Sequence, residues 1–135
     1  MTTMTTTTTT TTDAGDLMAA LDVARARVTV SRTMCHIVIM RRNAARIDLR
    51  NAMAYRDATA RDAATLAAQC ADASVMRLAT EVRDVAAAAY ALTGRAYNEA
   101  CTSLEIAEHT HDRAIVHMMT IEYALRDIGI DVISR

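Results

Sequence analysis

A chain of 135 residues with no proline and only three glycines has few places at which it can stop or turn. Long, uninterrupted elements follow. With no Phe or Trp, any core must come from Ala, Met, Ile, Val and Leu. Alanines let backbones approach closely and the nine methionines fill irregular gaps, so helix packed on helix is expected rather than sheet layers. The length is that of one domain.

The first twelve residues, MTTMTTTTTTTT, are of low complexity. Threonine is β-branched, a poor helix former, and a run of it offers no apolar face. Residues 1–12 therefore read as a flexible arm ahead of a helical domain at 13–135. Asp13 can cap a helix whose first turn holds Asp16. Apolar or small residues then follow at Leu17, Leu21, Ala24, Val28, Ser31, Cys35 and Val38, in alternating steps of four and three. Continuing the series reaches Arg42, Ala45 and Leu49. That is a heptad seam on a helix of roughly 35 residues. The β-branched run from Val28 to Met40 would suit a strand, but both flanks keep helical spacing.

A second helical run is expected from about Asp57 to Leu92, with an apolar face at Val75, Leu78, Val82, Val85, Ala89 and Leu92. A break at 71–74 is possible, where Asp72 or Ser74 could cap a new start. Thr93-Gly94 reads as the clearest turn. A third helix should carry its seam at Leu104, Ala107, His111, Ala114, Met118, Ile121, Leu125 and Ile128. Gly129 suits the left-handed position that ends a helix, with Ile130 folding back onto the last turn. The fold class predicted is all-α: an elongated bundle of three to four long antiparallel helices.

Charge is distributed unevenly. The first fifty residues hold seven arginines against four aspartates, whereas acids outnumber arginines in the last forty. Arg25, Arg32 and Arg46 fall on one side of the first seam and Arg27 and Arg41 on the other, while Glu108 and Glu122 flank the third. Opposite charges beside two seams favour their pairing, within one chain or between copies. The same surface, with Arg42 and Arg50 added, could instead hold a phosphate backbone, because guanidinium binds phosphate well. The slightly acidic chain, its four tyrosines and the lack of a known binding motif favour pairing.

The stretch EIAEHTHDRAIVH, Glu105 to His117, holds three of the four histidines and has the donor set of a metal site. Glu108 and His111 form one Glu-x-x-His, and Glu81 lies about as far before Thr93-Gly94 as Glu108 lies after it. In these three residues the chain resembles ferritin-like helical hairpins. The resemblance implies a di-metal site completed by a second copy of the hairpin. The favoured expectation is simpler: His111 is a core histidine satisfied by a hydrogen bond, and no metal or other cofactor is bound.

Enzyme motifs are otherwise missing: there is no glycine-rich phosphate loop and no nucleophile elbow. Cys35, Cys70 and Cys101 are odd in number and far apart, which argues for buried free thiols in a reducing compartment. With no membrane-length apolar run and no secretory signal, the expected place is the cytoplasm or a particle assembled inside the cell. The expected role is a non-catalytic structural subunit, coat-like or scaffold-like, that forms homo-oligomers through helical seams. A nucleic-acid-binding assembly protein and a dimeric di-metal bundle are the alternatives.

Overall fold

The computed structural model describes residues 5–132 of the chain, with side chains described from Ala14 to Val132. Every regular element among them is α-helix. There are two: α1, Thr5–Ala68, of 64 residues, and α2, Ala73–Asp127, of 55 residues. The count of three to four helices is therefore corrected to two.

The correction turns on Thr93-Gly94, which lies inside α2 and not at a turn. The Thr93 hydroxyl donates to the carbonyls of Ala89 and Tyr90, at 3.1 and 2.9 Å, and stays within the helix. A glycine in a helix interior costs about 1 kcal/mol against alanine, less than the packing of a continuous seam returns. α1 is likewise unbroken. It begins ahead of Asp13, so the expected cap lies inside the helix, and residues 5–12 of the threonine arm extend it. The helix is already nucleated further along, so each threonine has only to extend it, at a small propensity cost. Residues 1–4 of that arm lie outside the described residues.

The turn falls at the break expected around 71–74. Cys70, with φ of 51°, ends α1 in the left-handed conformation. The N–H of Cys70 donates to the Ala67 carbonyl at 3.2 Å and that of Ala71 to the Leu66 carbonyl at 3.1 Å, the bonding pattern of a Schellman cap. α2 then starts after Asp72, whose carbonyl accepts from Met76 N–H at 2.9 Å and whose carboxylate accepts from the Ser74 hydroxyl at 3.0 Å. At the other end of α2 the same motif recurs on the expected residue. Gly129 has φ of 89°, and Ile130 N–H donates to the Leu125 carbonyl at 3.0 Å.

The chain divides into two compact units. Unit 1 joins Met1–His36 to Glu105–Arg135 and holds the core cluster Leu21, Ala24, Ile121, Leu125 and Val132. Leu21 and Leu125 are fully buried, each contributing roughly 1.5–3 kcal/mol by its removal from water. Ile130 packs against the cluster, as its place after Gly129 implies. Unit 2, Ile37–Leu104, contains the turn and the helix segments on either side of it.

On α1 the expected seam is realised and goes further. From Leu17 to Leu49 its positions are buried or half-buried, and the same alternation continues through Ala52, Arg56, Thr59, Ala63 and Leu66. On α2 the seam expected from Leu104 to Leu125 is also the covered face, whereas Ile128 is exposed. Backwards from Leu104, the covered rows run through Ala100, Tyr97, Thr93, Tyr90, Ala86, Ala79 and Met76, with Arg83 exposed. The apolar face expected at Val75–Leu92 is thus displaced by one residue from the face that is covered. Val75, Leu78, Val82, Val85 and Leu92 are 44, 62, 38, 67 and 61% exposed.

Candidate functional site

Two kinds of feature could carry function: polar groups set into the helix seams, and apolar rows that point away from them. In unit 1, Ser31 on α1 and His111 on α2 occupy seam positions, and Ser31 Oγ lies 2.7 Å from His111 Nδ1. The Ser31 hydroxyl also donates to the Val28 carbonyl at 3.0 Å. A hydroxyl has one proton. Both bonds are satisfied when that proton goes to Val28 and the imidazole carries its own on Nδ1, donating to Oγ.

This assignment bears on chemistry. A serine beside a histidine is the pairing of a nucleophile with its base, but the arrangement that satisfies both bonds commits the hydroxyl proton to Val28, and Ser31 is only 7% exposed. Among the described residues no carboxylate orients the ring from its other side. The pair sets two hydrogen-bonded polar side chains among Val28, Cys35, Ala107 and Ala114 of the seam.

The other members of the metal reading are placed apart from this pair. Glu108 is exposed and makes no ion pair among the described residues, and Glu81 is exposed on α2 within unit 2. Among the described residues no three His, Cys, Asp or Glu side chains form a group that could hold a metal ion. Of the three cysteines, Cys35 and Cys101 are half-buried but Cys70 is exposed at the turn, so the expectation of buried thiols fails there. The left-handed backbone at the end of α1 sets Cys70 outward.

The six arginines singled out in the sequence differ in exposure and in partners. Arg25 is used internally: its guanidinium donates to the Val132 carbonyl at 3.1 Å and lies 4.0 Å from the Glu122 carboxylate. That is one of the charge pairings expected across the two seams. Arg32, Arg41, Arg46 and Arg50 are exposed and Arg42 is half-buried on the seam row, all without an ion pair among the described residues. A further seam arginine had been passed over in the sequence. Arg56 sits 4.0 Å from the centroid of the Tyr90 ring, a cation–π contact that joins the helices of unit 2, while its guanidinium also pairs with Asp57 at 3.1 Å. Continuing the heptad past Leu49 would have found it.

The apolar rows are more extensive. On α1, Val23, Val30, Ile37, Met40 and Ile47 are exposed and recur with heptad spacing, through Ala26, Thr33 and Ala44, on the side opposite the seam. On α2 the exposed row is Val75–Leu92, just described. No described helix is long and apolar enough to cross a membrane. No family model, curated protein or solved structure matches the chain.

Proposed function

We propose that the protein is a structural subunit that assembles with copies of itself, in a coat-like or scaffold-like role, and does no catalysis. The observation that carries this reading is a second apolar row on each helix. One row of α1 and one of α2 are consumed in covering each other, and each helix keeps another with the same three-and-four spacing in water. Contiguous exposed apolar rows of this kind mark interaction surfaces. Repeated heptad spacing specifies another helix as what covers them. The polar groups in the seams, Ser31 with His111 and Arg56 with Tyr90, support the same reading, because they serve register and not reaction.

Nucleic-acid binding by an assembly of this kind is the second reading, favoured by Arg32, Arg41, Arg46 and Arg50, exposed cations without an acidic partner among the described residues. Sedimentation at micromolar concentration, with co-purified nucleic acid quantified by absorbance, tests both. The expected result is a homo-oligomer free of nucleic acid. A monomer refutes the proposal. An oligomer that carries nucleic acid and releases it steeply with salt establishes the second reading.

A further inference from the structure

We infer that the Val75–Leu92 face of α2 is a two-fold interface at which a second copy of this chain packs antiparallel. The inference rests on the self-association proposed above and specifies where it occurs.

The face is bounded and lies wholly within unit 2. Its rows are Val75, Leu78, Val82, Val85, Ala89 and Leu92, in steps of three, four, three, four and three. They start where α2 leaves the turn and fade at Ala96 and Glu99. One flank, Ala79, Ala86 and Thr93, is already covered or half-covered within the chain, so a partner must come from the other side, along Ser74, Glu81, Ala88 and Arg95.

Size and charge select the occupant. Placed antiparallel about a two-fold between Val82 and Val85, Val82 meets the partner's Val85, Leu78 meets the partner's Ala89, and Val75 meets the partner's Leu92. Every apolar residue finds another, and the one alanine lies opposite a leucine. A parallel pair would set Ala89 against itself and Leu92 against itself, a gap beside a bulge, and cores tolerate neither well. The flanking charges fit the same register. Glu81 meets the partner's Ala88 and Arg95 meets the partner's Ser74, so no like charges oppose each other, and the small residue at 88 lets the backbones close up. A helix of unrelated sequence has no reason to match this order of sizes, whereas a second copy of α2 matches it by symmetry.

Cysteine cross-linking reads the register directly. In a chain with Cys35, Cys70 and Cys101 replaced by Ala, and helicity checked by circular dichroism, Val82→Cys and Val85→Cys are made singly, mixed in equal amounts and oxidised. The mixture should give a disulfide dimer joining one chain of each kind, several-fold in excess of the dimer either variant gives alone. Dimers of each variant with itself, in preference to the mixed one, would show a parallel pair and overturn the inference. In the otherwise unaltered chain, Val85→Glu should weaken association by about tenfold or more, since it buries a carboxylate without a partner, and leave helicity unchanged. Val30→Glu, on the outer row of α1, should leave the Val82–Val85 cross-link as it was. If Val30→Glu dissociates the oligomer and Val85→Glu does not, this interface is refuted while self-association stands. If the unaltered chain is monomeric, both fall.

Discussion

Ser31 and His111, eighty residues apart in the chain, meet through a 2.7 Å hydrogen bond between hydroxyl and imidazole Nδ1 on the seam of unit 1. Because the serine also donates to the Val28 carbonyl, it keeps a partner when the imidazole is removed, whereas the imidazole has only the serine. The two ends of the bond are therefore unequal. His111→Leu should change stability by less than about 1 kcal/mol in either direction, and Ser31→Ala should cost about 1–2 kcal/mol by stranding a half-buried N–H. Urea denaturation of both variants checks the order. Iron or zinc added to the parent protein should leave its melting temperature unchanged; a metal-dependent rise that disappears in His111→Leu would revive the di-metal reading.

Gly94 is a helix-interior residue, and a Cβ built there would meet only Leu49 Cδ1, at 3.9 Å, an ordinary van der Waals contact. Gly94→Ala should therefore stabilise by about 0.5–1 kcal/mol, and thermal melting would show it. Were residues 93–94 a turn, the same change would destabilise.

At the real turn the preference is reversed. Cys70 holds a left-handed conformation that costs a residue with a side chain about 1–2 kcal/mol, and its side chain is exposed. Cys70→Gly should recover part of that, about 0.5–1 kcal/mol, and Cys70→Val should lose more than it gains. Chemical denaturation midpoints of the two variants should move in opposite directions.

Arg25 is expected to act through the backbone more than through charge. Its contact with Glu122 is long at 4.0 Å and partly open to solvent, which limits it to a few tenths of a kcal/mol, whereas its bond to the Val132 carbonyl closes the end of the chain. Glu122→Gln should have little effect on stability, and Arg25→Ala should cost about 1 kcal/mol or more. Equal losses in the two variants, with strong coupling in a double-mutant cycle, would show that charge dominates.

How much of this was legible in the sequence depended on which residues sat on each row. The α1 seam could be traced because apolar or small residues recur there in alternating steps of four and three, and its extension to Leu66 follows the same rule. The end of α2 could be read from Gly129 and Ile130, whose roles are local. Residues 75–92 misled because α2 has two rows there with helical spacing, and the larger and more hydrophobic one faces water. What covers Ala79, Ala86 and Thr93 is the opposite helix, and small residues suit close approach better than valines do. Hydrophobicity ranks rows but does not say whose surface covers them. Thr93-Gly94 misled for a related reason: turn propensity is worth about 1 kcal/mol and yields to a seam running through it. The pairing of Ser31 with His111 needed the register across the turn, which neither residue carries alone.

The largest fully buried side chains among the described residues, Leu21 and Leu125, together with Val132 held by Arg25, lie far along the sequence from the turn at Cys70–Asp72; the one comparably buried residue nearer the turn is the small Ala86. A helical pair joined by a tight turn closes its first contacts over short loops and its last over long ones, so assembly should proceed outward from residues 66–76 like a zipper. In such an order the outermost contacts form last and would ordinarily be the first to fray. Placing the largest fully buried side chains there opposes that tendency. The final step of folding becomes a latch, and amide exchange near Leu21 and Leu125 should be as slow as exchange beside the turn.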